Sequence, residues 1–191
     1  MPDSAAAALA REVAGRFCSR ALLAHSHRSY LWAAEYGRAR GIAFDAELLY
    51  VAAMLHDIGL EPVFDSATVP FEAAGGAVAW VFAAGADWGA ERRDRAAEVI
   101  VAHMADEVDV AADPEGHLLE LATGLDVSGR RPDDWPAAFR AAVLARYPRQ
   151  GLAEEFLGCF TDQARRKPAS PAARFVAGGF AERVRANPLD S

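Results

Sequence analysis

Helix-forming residues run almost without interruption along this chain, broken at intervals by glycine or proline. Alanine is abundant, β-branched runs are scarce, and no stretch alternates apolar and polar residues as a half-buried strand would. The local preference is helix nearly everywhere, so the fold class expected is all-α.

Cap and stop signals divide the chain. Asp3 or Ser4 would cap a first helix ending near residue 20, and "HSHRSYLWAAEYGRARG" reads as a second, stopped by Gly41. Asp45 would cap a third, "AELLYVAAMLHD", ended by Gly59 and Pro62. The loop "LEPVFDSATVP" is longer than the usual ~4–6 residues, which makes it a candidate lid. Further helices are expected over about residues 71–84, 90–104, 114–127, 136–147, 152–167 and 172–186, giving eight to nine in one domain. Phe17, Trp32, Phe44, Tyr50, Phe71, Trp80 and Phe82 are assigned to the core, with Tyr30 or Trp32 able to touch a pocket.

At 191 residues and 52% apolar composition, the chain can bury a sizeable core. A net charge of -7 and no basic block argue against nucleic acid or an anionic membrane surface as partner. The N-terminus lacks a signal-peptide pattern, and the longest apolar stretch, residues 73–86, is short of the roughly 20 needed to span a bilayer. Two distant cysteines, Cys18 and Cys159, suggest free thiols and a cytoplasmic location. A small-molecule substrate is the expected partner, and homo-oligomerisation is left open.

The chemistry gathers in a few polar residues set in apolar helices. His56 and Asp57 are adjacent at the end of "LLYVAAMLHD". His25 and Arg28, three residues apart, share a helix face in the preceding segment. Asp126 is an acid in the apolar "LATGLDVSG", costly if buried charged and unpaired. Two imidazoles and two carboxylates suit a borderline divalent ion such as Zn²⁺, Fe²⁺ or Mn²⁺.

The order His25, His56-Asp57, Asp126 resembles the HD-domain superfamily of metal-dependent phosphohydrolases and related enzymes. Within it, "HSHRSY", "HDIGL", "PFEAAGGA", "EVIVAH", "LATGLDVSG" and "ARYPRQGLAEEF" resemble the cyanamide hydratase-type branch. The resemblance implies an all-α HD domain over residues 1–191, with a core over about 22–130 and C-terminal helices over about 134–187 packed on it. It implies one divalent ion, Zn²⁺ first, held by His25, His56, Asp57 and Asp126. His27, two residues on, is the rival first ligand, and the family spacing to Arg28 selects His25. The resemblance also assigns catalytic roles: Asp57 beside the attacking water, Arg28 on an anionic or developing charge, and His103 or Glu72 in proton transfer. His117 is expected at the surface.

Those roles lead to hydration of a nitrile-like compound such as cyanamide, giving urea. Phosphate-ester hydrolysis is the alternative, followed by a di-iron oxygenase and a non-catalytic metal-binding module. Ala73 and Ala74 stand where the branch has an aspartate, Met104 follows His103 where threonine is common, and Ser29 replaces a β-branched residue. Glu61 falls one residue beyond the glutamate spacing of phosphohydrolase members, and few basic residues flank the motifs.

Overall fold

A computed structural model describes residues 1–190 of the protein. Ten α-helices and three single 3-10 turns make up the described residues, with no strand among them. The helices are α1 (Ala5–Phe17), α2 (Arg20–Arg40), α3 (Ala46–Leu55), α4 (Phe71–Gly85) and α5 (Ala90–Ala102), then α6 (Pro114–Ser128), α7 (Ala137–Arg146), α8 (Leu152–Arg166), α9 (Pro171–Ala177) and α10 (Phe180–Arg185). The all-α expectation holds. The extra helix arises because the segment expected over 172–186 breaks at Gly178 and Gly179, the latter at φ +80°.

Local capping follows the sequence at α1 and α3 and departs from it at α2. Ser4, not Asp3, caps α1 by accepting the Ala7 N–H at 3.2 Å. Asp45 caps α3, its Oδ1 accepting the Glu47 and Leu48 N–H groups at 3.0 Å. Ser19 caps α2, which therefore starts five residues before His25. His25 sits in its second turn instead of at its opening.

The centre of the bundle is α2, packed on α6 and α3. Every residue from Leu48 to Leu55 in α3 is buried, which fixes the position of the chain that follows. Beyond it, α4 packs on the 3-10 turn Ile58–Leu60 with almost no separation. A Cβ on Gly59 would meet the Phe71 carbonyl oxygen at 2.1 Å, and one on Gly75 would meet the His56 carbonyl at 3.0 Å. The glycines in "HDIGL" and "PFEAAGGA" thus let two backbones touch. A second apolar cluster joins Phe71, Met104 and Val127 to Leu152, Phe156, Phe160, Phe180 and Val184 of the C-terminal helices.

Two expectations change here. Trp80 is 38% exposed, its indole N–H donating to Asp94 Oδ1 at 2.8 Å, because that face of α4 turns towards solvent. The loop over residues 61–70 is strapped down: Asp65 Oδ1 accepts Lys167 Nζ at 2.8 Å and Gln163 Nε2 at 3.0 Å, and Arg166 pairs with Asp65 Oδ2. Phe64 packs edge-on to Phe17, ring centres 4.8 Å apart. Glu61 accepts the Ser19 backbone N–H at 3.3 Å, which ties this loop to the start of α2. No helix is long and apolar enough to cross a membrane among the described residues. Cys18 and Cys159 are free and half-buried, and burial pushes their thiols up to about 12 and about 11.

Candidate metal centre

The end of α3 delivers His56, which follows its last residue, and Asp57, which opens the 3-10 turn. The second turn of α2 delivers His25. The three side chains converge: His25 Nε2 lies 3.0 Å from His56 Nε2 and 3.3 Å from Asp57 Oδ2, and His56 Nε2 lies 3.0 Å from the same oxygen. All three residues are buried.

Their outer contacts decide which atoms carry protons. His25 Nδ1 is 2.7 Å from Asp126 Oδ2, so that nitrogen donates and, in the neutral ring, Nε2 presents a lone pair. Against the effect of burial, Asp126 and Asp57 raise the His25 pKa. His56 Nδ1 donates to the Ala53 carbonyl at 2.9 Å, which likewise bares its Nε2. Asp57 Oδ2 is buried with no hydrogen-bond partner. With both imidazoles neutral, three lone-pair acceptors face one another at 3.0–3.3 Å, a repulsion that a bound cation or a proton on His25 relieves. Two neutral imidazoles and one carboxylate are a fitting donor set for a divalent ion.

Residues 22–123, more than half of the chain, match the HD domain family. The chain belongs to the HD domain family. No curated protein matches the sequence. Asp126 lies three residues beyond the matched span.

Asp126 stands apart from the three converging donors. Arg28 grips it in a two-pronged contact, Nε to Oδ1 and Nη2 to Oδ2, both 2.8 Å. The Trp32 indole N–H donates to Oδ1 at 2.8 Å. Burial alone would raise the Asp126 carboxyl, but Arg28 and then His25 hold it well below the usual carboxylate range. Asp126 therefore anchors His25 in this structure, its oxygens turned to the other ring nitrogen. Arg28, expected to meet an anionic group, is fully buried and also donates from Nη1 to the Tyr147 and Pro148 carbonyls at 3.1 and 3.0 Å. It holds the centre's framework and does not line the cavity beside it.

That cavity, about 70 Å³, is lined by His25, His56, Asp57 and His103 together with residues of α6, α8, α9 and α10. His103 caps the end of α5, its ring edge-on to His56 at 4.9 Å, with Nε2 3.6 Å from Asp57 Oδ1. Its Nδ1 donates to the Ile100 carbonyl, so Nε2 is a bare acceptor. Burial and the neighbouring His56 depress its pKa to about 4, which leaves it neutral near pH 7. Glu72 is buried with Oε2 unpartnered, and burial raises its carboxyl, but it does not line the cavity. His27 stacks on Tyr147 at 4.7 Å, away from the cluster, and His117 is half-buried with Nδ1 on the Val108 carbonyl. Tyr30 packs edge-on to Tyr50 in the core.

Sequence reasoning missed the cavity's other walls. Phe156 and Phe160 on α8 and Phe175 and Phe180 on α9 and α10 form the apolar side, and Glu120, Arg130 and Arg183 supply charge. One signal was available. Glu120, Thr123, Gly124 and Val127 fall three and four apart, a stripe on one face of α6. No residue of the 61–70 loop lines the cavity, and its roof comes from the C-terminal helices.

Proposed function

We propose that this HD-domain protein is a metal-dependent enzyme that adds water to a small polar substrate, with a nitrile-like compound such as cyanamide the first choice. The observation that carries the reading is a cavity of about 70 Å³ reaching the His25–His56–Asp57 cluster. One water needs roughly 10–15 Å³ of such space, so the part of the cavity at the cluster takes a ligand group of a few heavy atoms. HD proteins are largely metal-dependent hydrolases, which favours turnover over a passive metal site.

His25, His56 and Asp57 would hold the ion, with Zn²⁺ the first candidate, and Asp126 would support the set either through His25 or as a fourth ligand. A divalent ion there supplies Lewis acidity and acidifies a water in its reach. The chain's own residues do the rest. His103 Nε2, neutral and unprotonated, takes the proton of the attacking water as the water oxygen bonds to the nitrile carbon. It then returns that proton to the substrate nitrogen, and tautomerisation gives the amide. The four phenylalanines exclude bulk water from the reacting face.

A second reading, phosphate-monoester hydrolysis, draws support from Arg130 and Arg183 on the cavity wall. Purified, metal-analysed protein is supplied in parallel with cyanamide and with a nucleoside monophosphate panel, assaying urea and free phosphate. Urea without phosphate supports hydration. Phosphate without urea discards it for the second reading. Turnover of neither, with metal bound, overturns both.

A further inference from the structure

One wall of the cavity is the face of α6 that carries Glu120, Thr123 and Gly124. The Glu120 side chain is only 5% exposed, and its Oε1 accepts Arg130 Nη1 at 2.5 Å. Oε2 takes part in no hydrogen bond among the described residues. Arg130 reaches back to it through a local device. Gly129, at φ +67°, ends α6 in the left-handed conformation, and the Arg130 N–H bonds the Gly124 carbonyl at 3.2 Å. The side chain then lies over Gly124, where a Cβ would stand 3.1 Å from Nη1 and 3.2 Å from Cζ.

Only the carboxylate of this pair is buried, since the Arg130 side chain is 39% exposed, so desolvation of Glu120 offsets part of the attraction. Burial raises the Glu120 carboxyl, a sign of that cost. The pair nevertheless faces the cavity, in a lining otherwise dominated by phenylalanine. Among the residues lining the cavity, the other charged groups are the metal cluster itself and Arg183, which is exposed and donates to the Gly178 carbonyl.

We propose that Glu120 and Arg130 form the cavity's specificity pair: Glu120 Oε2 accepts an N–H of a small neutral amine- or amide-bearing substrate, while Arg130 holds the carboxylate in place. This rests on the small-substrate reading above and names its class. The same carboxylate disfavours an anion, since a phosphate monoester would bring negative charge against it.

The test titrates metal-loaded wild type with urea, acetamide and inorganic phosphate, following NMR shifts, alongside cyanamide kinetics. Glu120→Gln, with bound metal and far-UV circular dichroism checked, is expected to weaken both amides at least tenfold and to tighten phosphate. Glu120→Asp, which keeps the charge but shortens its reach, is expected to fall between. Arg130→Met weakens the amides, and Arg130→Lys restores most of that loss, a rescue that plain structural damage would not show. Equal amide binding by wild type and Glu120→Gln overturns the pair. So does a wild type that binds phosphate and no amide. A wild type that binds urea through Glu120 yet makes none from cyanamide leaves the pair standing and removes the hydration reading.

Discussion

Asp126 Oδ2 lies 2.7 Å from His25 Nδ1, and that contact fixes which edge of the imidazole faces His56 and Asp57. With Nδ1 acting as donor in the neutral ring, Nε2 offers its lone pair inward. The carboxylate is itself held by Arg28 and Trp32, so α2 and α6 are locked together at the depth of the centre.

Replacing that carboxylate tests the lock. Asp126→Asn leaves Arg28 buried without its charged partner, and apo-protein stability is expected to fall by about 3–5 kcal/mol. Metal affinity, read by competition with a chelator, is expected to drop roughly 10–100-fold. A variant with unchanged melting and unchanged metal affinity would refute the role given to Asp126.

His56 is tested by stoichiometry. His56→Ala removes one of three converging donors, and elemental analysis is expected to show bound metal lost along with activity. Full stoichiometric metal in that variant would refute the cluster as the binding site.

The strapped loop makes the opposite kind of prediction. Asp65→Asn weakens the tie to Lys167 and Arg166, and is expected to cost about 1–3 kcal/mol and to speed proteolysis within residues 61–70. Because no residue of that loop lines the cavity, kcat and KM of the folded variant are expected to stay within about twofold. A large loss of activity at full occupancy of the folded state would restore the loop as a lid.

Gly59→Ala should be severe for a residue change of one methyl. The new Cβ meets backbone, the Phe71 carbonyl oxygen, so α4 must move away from the turn that carries Asp57. Destabilisation above about 4 kcal/mol, or failure to fold, is expected from chemical denaturation.

Acid sensitivity has a named contributor. His27 is held near 4, by burial first and by Arg11 and Arg146 next. Its folded value lies below the ordinary ~6.5, so the unfolded chain takes up the proton first as pH falls. The stability it contributes is complete above about pH 6.5 and is lost down to about pH 4. His27→Gln is expected to flatten the fall in urea midpoint across that window. An unchanged slope would show that His27 is not buried neutral.

Helix content, the Asp45 cap, the Gly41 stop and the adjacency of His56 and Asp57 were legible in the sequence, because each depends on neighbours within a turn or two. Ser4, Asp45 and Gly41 act on backbone groups no more than four residues away, so their identity suffices. The all-apolar run of α3 likewise announced a buried helix ending on polar groups. What the sequence could not show is direction. Arg28 looked available to a substrate until the fold set Asp126 and two carbonyls around it. The long loop looked like a lid until Lys167, about a hundred residues on, bound Asp65. The phenylalanines of α8 to α10 carried no role in the sequence, and packing set them across a cavity from the metal cluster. Each of these depends on contacts between distant segments, and only the packed chain decides which donors are already taken and which face a space that a substrate can enter.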